Sequence, residues 1–349
     1  MTAGPGGGVN EALQEVASLE SRSGSTLEAG PSGEGGGSGS GKLESRSPFQ
    51  IAMLRLRRDK VAVVCGVVVL IFVLMGIFAP LLASLEGQNP TATNFDLIGD
   101  DNLPTFYVNS QHWLGVTSGN GYDVFARFVY GIRPSFLIAI SASVLSTIVG
   151  VVAGLVSGFF TGWIDRVIGW LVDFALSLPV LLMAIALVPV LVQSIAGDAP
   201  TQSQTQQVRI LVLMIVLVGT GWAGTCRLVR GEVLSLRNRE FVQAARALGA
   251  PTGRILFREI LPNLTSIILV SITTALPAFI GAEAGLSYLG VGLTAPTADW
   301  GLDIALAQDQ MQNFALPLLV PLIGLLIVVL CLSLLGDAIS DAFNPNTRR

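Results

Sequence analysis

The sequence predicts an all-α polytopic membrane protein with six transmembrane helices. Apolar residues make up 51% of the 349-residue chain and charged residues only 13%, whereas soluble domains carry about 25% charged residues. The chain contains six apolar windows without a charge, of 17 to 31 residues each. About 20 apolar residues are enough for a helix to cross a bilayer. These observations exclude a soluble globular domain.

The six windows predict where the spans lie. We expect them at approximately 61–84, 134–160, 167–194, 209–230, 263–283 and 315–337. In the second span, Gly150, Gly154 and Gly158 recur every four residues on one helix face. Small residues at this spacing let two helix backbones approach closely within a membrane. We therefore predict a tight helix–helix contact along this face.

The distribution of Lys and Arg predicts the orientation. Four basic residues lie between Arg55 and Lys60, directly before the first span. This places the amino terminus in the cytoplasm, because short cytoplasmic segments carry an excess of positive charge. Six crossings return the carboxyl terminus to the same side. On this topology 17 of the 20 basic residues are cytoplasmic, and residues 235–262 form a cytoplasmic loop.

The first 47 residues differ from the rest of the chain. Residues 1–47 are rich in Gly, Ser and Glu, so they cannot bury enough apolar surface to fold, and we expect a disordered tail. Gly36 to Lys42 has the spacing of a phosphate-binding loop, but Leu43 stands where that loop needs Ser or Thr to hold Mg²⁺. We expect no nucleotide hydrolysis by this chain. Residues 48–349 form the predicted transmembrane domain.

Metal and disulfide chemistry find no support in the sequence. Cys65, Cys226 and Cys331 each lie inside an apolar run, and the single histidine, His112, lies in a loop. A structural zinc site needs clustered thiols or imidazoles, so we predict no metal site and no disulfide. We assign His112 to the exposed surface, without a function, and we predict no catalytic residues.

A polar segment between two apolar runs, Ser235–Asn263, carries the most informative pattern. One apolar helix face is formed by Phe241, Ala244, Ala245 and Leu248, at positions i, i+3, i+4 and i+7. Polar side chains expected to point away from that face are Arg239, Gln243 and Arg246. Gly249 suits the left-handed residue that ends a helix, and Pro251 suits the start of a second one. We call Ser235–Asn263 the connecting segment.

Ala244-Ala245, Gly249 and Ile260-Leu261-Pro262 of the connecting segment resemble the EAA loop of ATP-binding-cassette (ABC) importer permeases. Gln243 stands where that loop usually has Glu. The resemblance implies that this loop fits a groove on a separate ATPase subunit. The coupling residues it implies are Phe241, Gln243, Ala244, Ala245, Arg246, Leu248, Gly249, Arg254 and Pro262.

Two further stretches resemble the dipeptide/oligopeptide (C-type) branch of this family. The predicted outer loop, 84–133, ends in a stretch where Asp123, Arg127 and Arg133 match the family pattern, and Glu283 begins a peptide-permease signature, EAGLSYLGVGLTAPTADWG. These four residues are candidates for contact with substrate or for lining an outer gate. The alternative for the three outer-loop residues is that they fix a re-entrant or interfacial helix. For Glu283, anchoring or gate lining is favoured over a proton relay, because the residue lies toward the end of span five.

The resemblance implies a type I-like permease subunit of a bacterial ABC importer for dipeptides and oligopeptides, in the inner membrane. Its implied partners are a homologous permease, two ATPase subunits and an extracytoplasmic substrate-binding protein. ATP and Mg²⁺ would bind to the ATPases, so this chain needs no cofactor and is not an enzyme.

Three other functions are alternatives to this one. An importer of the same family for nickel or another small solute would have a nearly identical permease. A secondary carrier driven by an ion gradient would show inverted repeats and broken helices near the bilayer midplane. A DNA-binding helix–turn–helix is disfavoured because the connecting segment is short and tied to the membrane at both ends, and we expect no nucleic-acid partner.

Overall fold

The computed structural model describes residues 48–105, 108–197 and 201–343. The predicted disordered tail, 1–47, and the last two arginines lie outside the described residues. Within these ranges the regular elements are helices, as the sequence predicts. They are α1 Pro48–Arg58, α2 Lys60–Ile77, α3 Ala79–Glu86, α4 Val124–Phe159, α5 Trp163–Ser177, α6 Val180–Ala196, α7 Gln202–Leu236, α8 Glu240–Ala247, α9 Thr252–Tyr288, α10 Trp300–Ala307 and α11 Leu316–Phe343.

Five of these helices are long and apolar enough to cross a membrane alone: α2, α4, α7, α9 and α11. The predicted third span, 167–194, is instead a pair of helices, α5 and α6, which meet at an angle of 91°. Pro179 precedes the first residue of α6. Proline lacks the N–H that would continue α5 and disfavours helical geometry at the residue before it, so the chain bends there.

Two spans begin well before the predicted apolar windows because polar caps extend them. α4 begins at Val124, since Asp123 accepts a hydrogen bond from the backbone N–H of Ala126. α7 begins at Gln202, where the side chains of Thr201 and Gln204 form a reciprocal capping box. Both caps satisfy N–H groups that the first helical turn leaves free. Residues 124–133 of the predicted outer loop are therefore helical.

The most extensive contact between helices joins α4 to α7. The Cα atoms of Gly150, Gly154 and Gly158 lie so near α7 that an added Cβ would come within 2.7–2.8 Å of an atom of that helix. At Gly154, the nearest such atom would be a side-chain carbon of Val229. Side chains larger than hydrogen would push the two backbones apart. The predicted tight contact at these glycines is confirmed.

The remaining spans surround this pair. α9 packs on α4 and on α11, and α11 in turn packs on α2. A cluster of buried apolar side chains fills the space between α4, α6, α7 and α9. The short helix α1 lies along the end of α11, where the guanidinium of Arg55 donates a hydrogen bond to the carbonyl oxygen of Ala342 at 3.5 Å.

The α4–α7 contact predicts that Gly154→Ala lowers stability by about 1–3 kcal/mol, because a methyl group has no room there. The midpoint of thermal unfolding in detergent measures the change. Gly66→Ala on α2 is the matched control, because nothing lies within 4 Å of a Cβ at that glycine. Equal unfolding midpoints for the two variants would contradict the close packing.

Candidate functional site

The connecting segment folds into the short helix α8 and the first turns of α9, with a sharp turn between them. Helix α8 ends at Ala247 and is capped by Leu248, and Gly249 follows with φ of +75°, so the predicted left-handed glycine is confirmed. The N–H of Ala250 donates to the carbonyl of Ala245 at 3.0 Å, and that of Gly249 to Arg246 at 2.9 Å. This pair of bonds is the Schellman motif, which closes helices at such glycines.

One side of α8 is buried in the protein. Val242 is fully buried, and it belongs to an apolar cluster with Ile255, Leu256 and Ile260 of α9. The same cluster contains Val229 and Val233 of α7 and Val151 and Leu155 of α4. The connecting segment is therefore continuous with the packed ends of the long helices. Val242 is not among the residues predicted from the sequence, although its spacing of three from Ala245 was a usable signal.

This packing buries only part of the predicted apolar face of α8. Ala245 is half-buried against the protein, whereas Ala244 is exposed. Leu248 is 87% exposed and Phe241 is 39% exposed. On the following turn of α9, Phe257 is also exposed, at 67%. The segment thus presents large apolar side chains on its outer surface while its inner surface is packed.

Gln243 and Arg246 are predicted coupling residues on the side of α8 away from its apolar face. Both side chains contact this chain itself. The Arg246 guanidinium lies 5.0 Å from the centre of the Phe159 ring, at the end of α4. The Gln243 amide donates to the carbonyl of Asn238 at 3.1 Å, which steadies the turn into α8. Arg254 is exposed, and Pro262 lies in a tight turn within α9.

On the opposite side of the spans, Arg127 is the centre of a buried polar assembly. Its Nε donates to the Asp303 carboxylate at 2.5 Å, and its other nitrogens donate to the carbonyls of Pro90, Pro296 and Thr297 at 3.0–3.2 Å. The side chain of Arg127 is 1% exposed. A single guanidinium therefore joins α4, α10 and two loops.

Asp123 is fully buried beside this assembly. Its second carboxylate oxygen pairs with Nδ1 of His112 at 2.8 Å. The assignment of His112 to the exposed surface is wrong, since the residue is buried. A lone histidine in a polar loop gave no sequence signal of this partner, because the pairing depends on how the loop folds back onto the start of α4.

The other two outer candidates also hold the fold together. Arg133 donates to the carbonyls of Gly76 and Ile77 at 2.6 and 2.9 Å, where it satisfies the carboxyl-terminal end of α2. Glu283 is fully buried near the end of α9, where the hydroxyl of Ser287 donates to it at 3.2 Å. The four predicted residues are thus spread among several structural contacts, which favours the anchoring alternative over contact with substrate.

The Arg127 assembly predicts that Arg127→Met lowers stability by about 3–5 kcal/mol, because Asp303 would remain buried without its cation. Burial already raises the pKa of Asp303 to about 6, although Arg127 opposes this shift. Adding Asp303→Asn should restore part of the loss. Thermal unfolding of the single and double variants measures it, and a double variant no more stable than Arg127→Met would contradict the pairing.

Glu86, on the same side of the spans as the Arg127 assembly, makes the stability of the fold depend on pH. Burial, together with the charge of Asp123, raises the pKa of Glu86 to about 7. The backbone N–H of Trp113 donates a hydrogen bond to the Glu86 carboxylate at 2.5 Å. The folded chain keeps a proton that the unfolded chain has lost, so stability falls as pH rises from about 4.5 through 7.

Glu86→Gln should remove this part of the pH dependence, while Asp100→Asn, at an exposed carboxylate, should retain it. The unfolding midpoints at pH 6 and pH 8 measure both variants. An unchanged difference between the two pH values in Glu86→Gln would show that this carboxyl does not titrate in the range.

Two family models and one solved structure match parts of this chain. Residues 150–349 match the family model of the binding-protein-dependent transport system inner membrane component. Residues 47–104 match the model of the N-terminal TM domain of oligopeptide transport permease C. A solved structure of the MetNI methionine ABC transporter in inward-facing conformations aligns with a TM-score of 0.50 over 62% of this chain and 96% of that chain. At 17% identity, this structure supports the fold alone.

Curated relatives agree with the family match. The oligopeptide transport system permease protein OppC of Bacillus subtilis is 35% identical, over 88% of this chain and 92% of its own length. The dipeptide transport system permease protein DppC of Alkalihalophilus pseudofirmus is 33% identical, over 86% and 91%. The glutathione transport system permease protein GsiD of Salmonella typhimurium is 37% identical, over 87% and 92%. The chain therefore belongs to the family of binding-protein-dependent transport system inner membrane components, the permease subunits of ABC importers.

Proposed function

We propose that this chain imports dipeptides and oligopeptides as one permease of a bacterial ABC importer, with its connecting segment docked on an ATPase subunit. The observation that carries the docking proposal is the two-sided character of the connecting segment. Val242 binds one side of α8 to the long helices, while Leu248 and Phe241 remain exposed on the other. Exposed apolar clusters of this kind are typical of protein–protein contact sites.

The topology supports the same proposal. With the amino terminus in the cytoplasm and the bent pair α5–α6 counted as one span, four crossings precede the connecting segment, which puts it on the cytoplasmic side, where ATP is available. The basic residues within it, among them Arg237 and Arg258, are consistent with that side. The Arg127 assembly would then face outward, near the position at which an extracytoplasmic binding protein delivers cargo.

Mechanically, the proposal needs a rigid link between the ATPase and the spans. The apolar cluster around Val242 provides this link, because it joins α8 to both α7 and α9. The guanidinium of Arg237 adds a hydrogen bond to the carbonyl of Gly158 on α4, at 3.2 Å. A displacement of the connecting segment by closing ATPases would therefore move three long helices. ATP and Mg²⁺ would act only in the partner subunits.

Peptides are the proposed cargo because the names of the relatives refer to oligopeptides, dipeptides and the tripeptide glutathione. Family membership favours an ATP-driven importer over an ion-gradient carrier. A homologous permease, two ATPases and a binding protein complete the proposed assembly. Nickel or another small solute remains the alternative cargo, and a ligand screen on the co-purified binding protein distinguishes the two.

Gly249→Val should reduce peptide uptake at least tenfold while the protein still inserts into the membrane. Valine strains a backbone at φ of +75° by about 1–2 kcal/mol, which would misdirect the two helices of the connecting segment. The matched control is Gly87→Val, at a left-handed helix end with φ of +78° on the opposite side. It should carry the same strain and leave ATPase docking intact.

Leu248→Asp tests the docking surface without backbone strain, because that side chain is 87% exposed. We expect the ATPase to be lost from the purified complex. Normal uptake by Gly249→Val, together with full ATPase recovery in Leu248→Asp, would count against the proposed role of the connecting segment.

A further inference from the structure

A groove with a volume of about 410 Å³ lies between α2 and α4, away from both the connecting segment and the Arg127 assembly. Most of its lining is apolar, with Ile77 on the α2 wall and Phe136 and Leu137 on the α4 wall. Ile77 is 58% exposed and Leu137 is 67% exposed, so the groove opens toward the surrounding bilayer. Apolar clefts of a few hundred Å³ with a few polar groups are typical of small-molecule sites.

The polar group of this groove is the guanidinium of Arg133. Among the described residues of the lining, Arg133 alone is charged. Its Nε and Nη2 donate to the carbonyls of Gly76 and Ile77, and its Cζ lies 5.2 Å from the centre of the Tyr130 ring. These partners are all neutral, and no described carboxylate forms an ion pair with Arg133. Because a guanidinium is always protonated, a full positive charge stands at the groove without an anion from the described chain.

The length of α2 places this charge at the level of the lipid headgroups. Helix α2 has 18 residues, from Lys60 to Ile77, which is about 27 Å at roughly 1.5 Å per residue. The hydrocarbon core of a bilayer is about 30 Å thick, so the two ends of α2 lie near its two boundaries. Arg133 binds the carbonyls at one of these ends. Ile140, which also lines the groove, is seven residues further along α4, about 10 Å deeper in the hydrocarbon.

We propose that this groove binds one phospholipid, with its phosphate on the Arg133 guanidinium and an acyl chain along the apolar walls of α2 and α4. Arginine and phosphate form charge-assisted hydrogen bonds of matching geometry, and Arg133 retains Nη1, which donates to no described residue. The order of the groups also fits, since the charge lies at headgroup depth and the apolar walls extend inward from it. The site is independent of the cargo that the protein carries.

An apolar helix of another subunit is the competing occupant. Such a helix would cover the walls around Leu137 and Ile140, but it would bring no anion to Arg133. The unpaired charge therefore favours the phospholipid. A bound lipid of this kind differs from the general lipid surroundings in two measurable ways: it saturates at one molecule per chain, and it requires both the phosphate and the acyl chains.

The first experiment removes the charge. The protein, purified with its co-purifying subunits, is titrated with dioleoylphosphatidylglycerol in detergent, and native mass spectrometry counts the lipids that stay bound. Wild type should retain one molecule per chain, and Arg133→Gln, which keeps an amide donor for the α2 carbonyls, should retain at least fivefold less. The matched control is Arg209→Gln, because Arg209 also donates to a backbone carbonyl, that of Gly292 at 3.1 Å, but does not line the groove. Equal retention by wild type and Arg133→Gln would overturn the proposal.

Two further probes separate the lipid from its parts. A ligand that binds only the folded state raises the unfolding midpoint, so phosphatidylglycerol should raise that of wild type. Dioleoylglycerol, which has the chains without the phosphate, and glycerol phosphate, which has the phosphate without chains, should each leave it unchanged. An equal rise with dioleoylglycerol would refute the role of Arg133, and an equal rise with glycerol phosphate would refute the role of the groove.

A second variant keeps the charge and narrows the groove, so it decides the matter even if Arg133→Gln folds poorly. Ile140→Trp should lower phosphatidylglycerol retention at least fivefold while the co-purifying subunits are recovered at the wild-type level. Ile148→Trp is the matched control, because Ile148 lies on the same helix, is 53% exposed against 45% for Ile140, and does not line the groove. If Ile140→Trp instead loses a co-purifying subunit and wild type retains no lipid, a protein helix covers the groove and the proposal is overturned.

Discussion

The close contact between α4 and α7 is the constraint on which the rest of the structure depends. Apolar side chains gain little by leaving lipid for a protein interior, so association within a membrane relies on packing. Gly150, Gly154 and Gly158 allow the two backbones to approach until α7 side chains fill the space that a Cβ would occupy. α4 also carries Arg127 and α7 leads into α8, so this contact fixes both ends of the molecule relative to each other.

The two ends differ in the physical means that hold them together. At the end opposite the connecting segment, buried polar side chains are paired: Arg127 with Asp303, and Asp123 with His112. Removing ions from water is costly unless partners and hydrogen bonds compensate, so these contacts define one arrangement of the loops. At the other end an apolar cluster around Val242 packs the connecting segment onto the long helices. It leaves Leu248 exposed.

The sequence by itself determined the features that depend on local order along the chain. These are the helical class, the approximate spans, the glycine face of α4 and the left-handed turn at Gly249, because periodicity and backbone preference are local properties. Only the tertiary structure decided that His112 is buried, that Val242 faces inward and that Arg127 meets Asp303, 176 positions away. Such contacts depend on which surfaces the folded helices bring together, and residues far apart in a single sequence carry no record of that proximity.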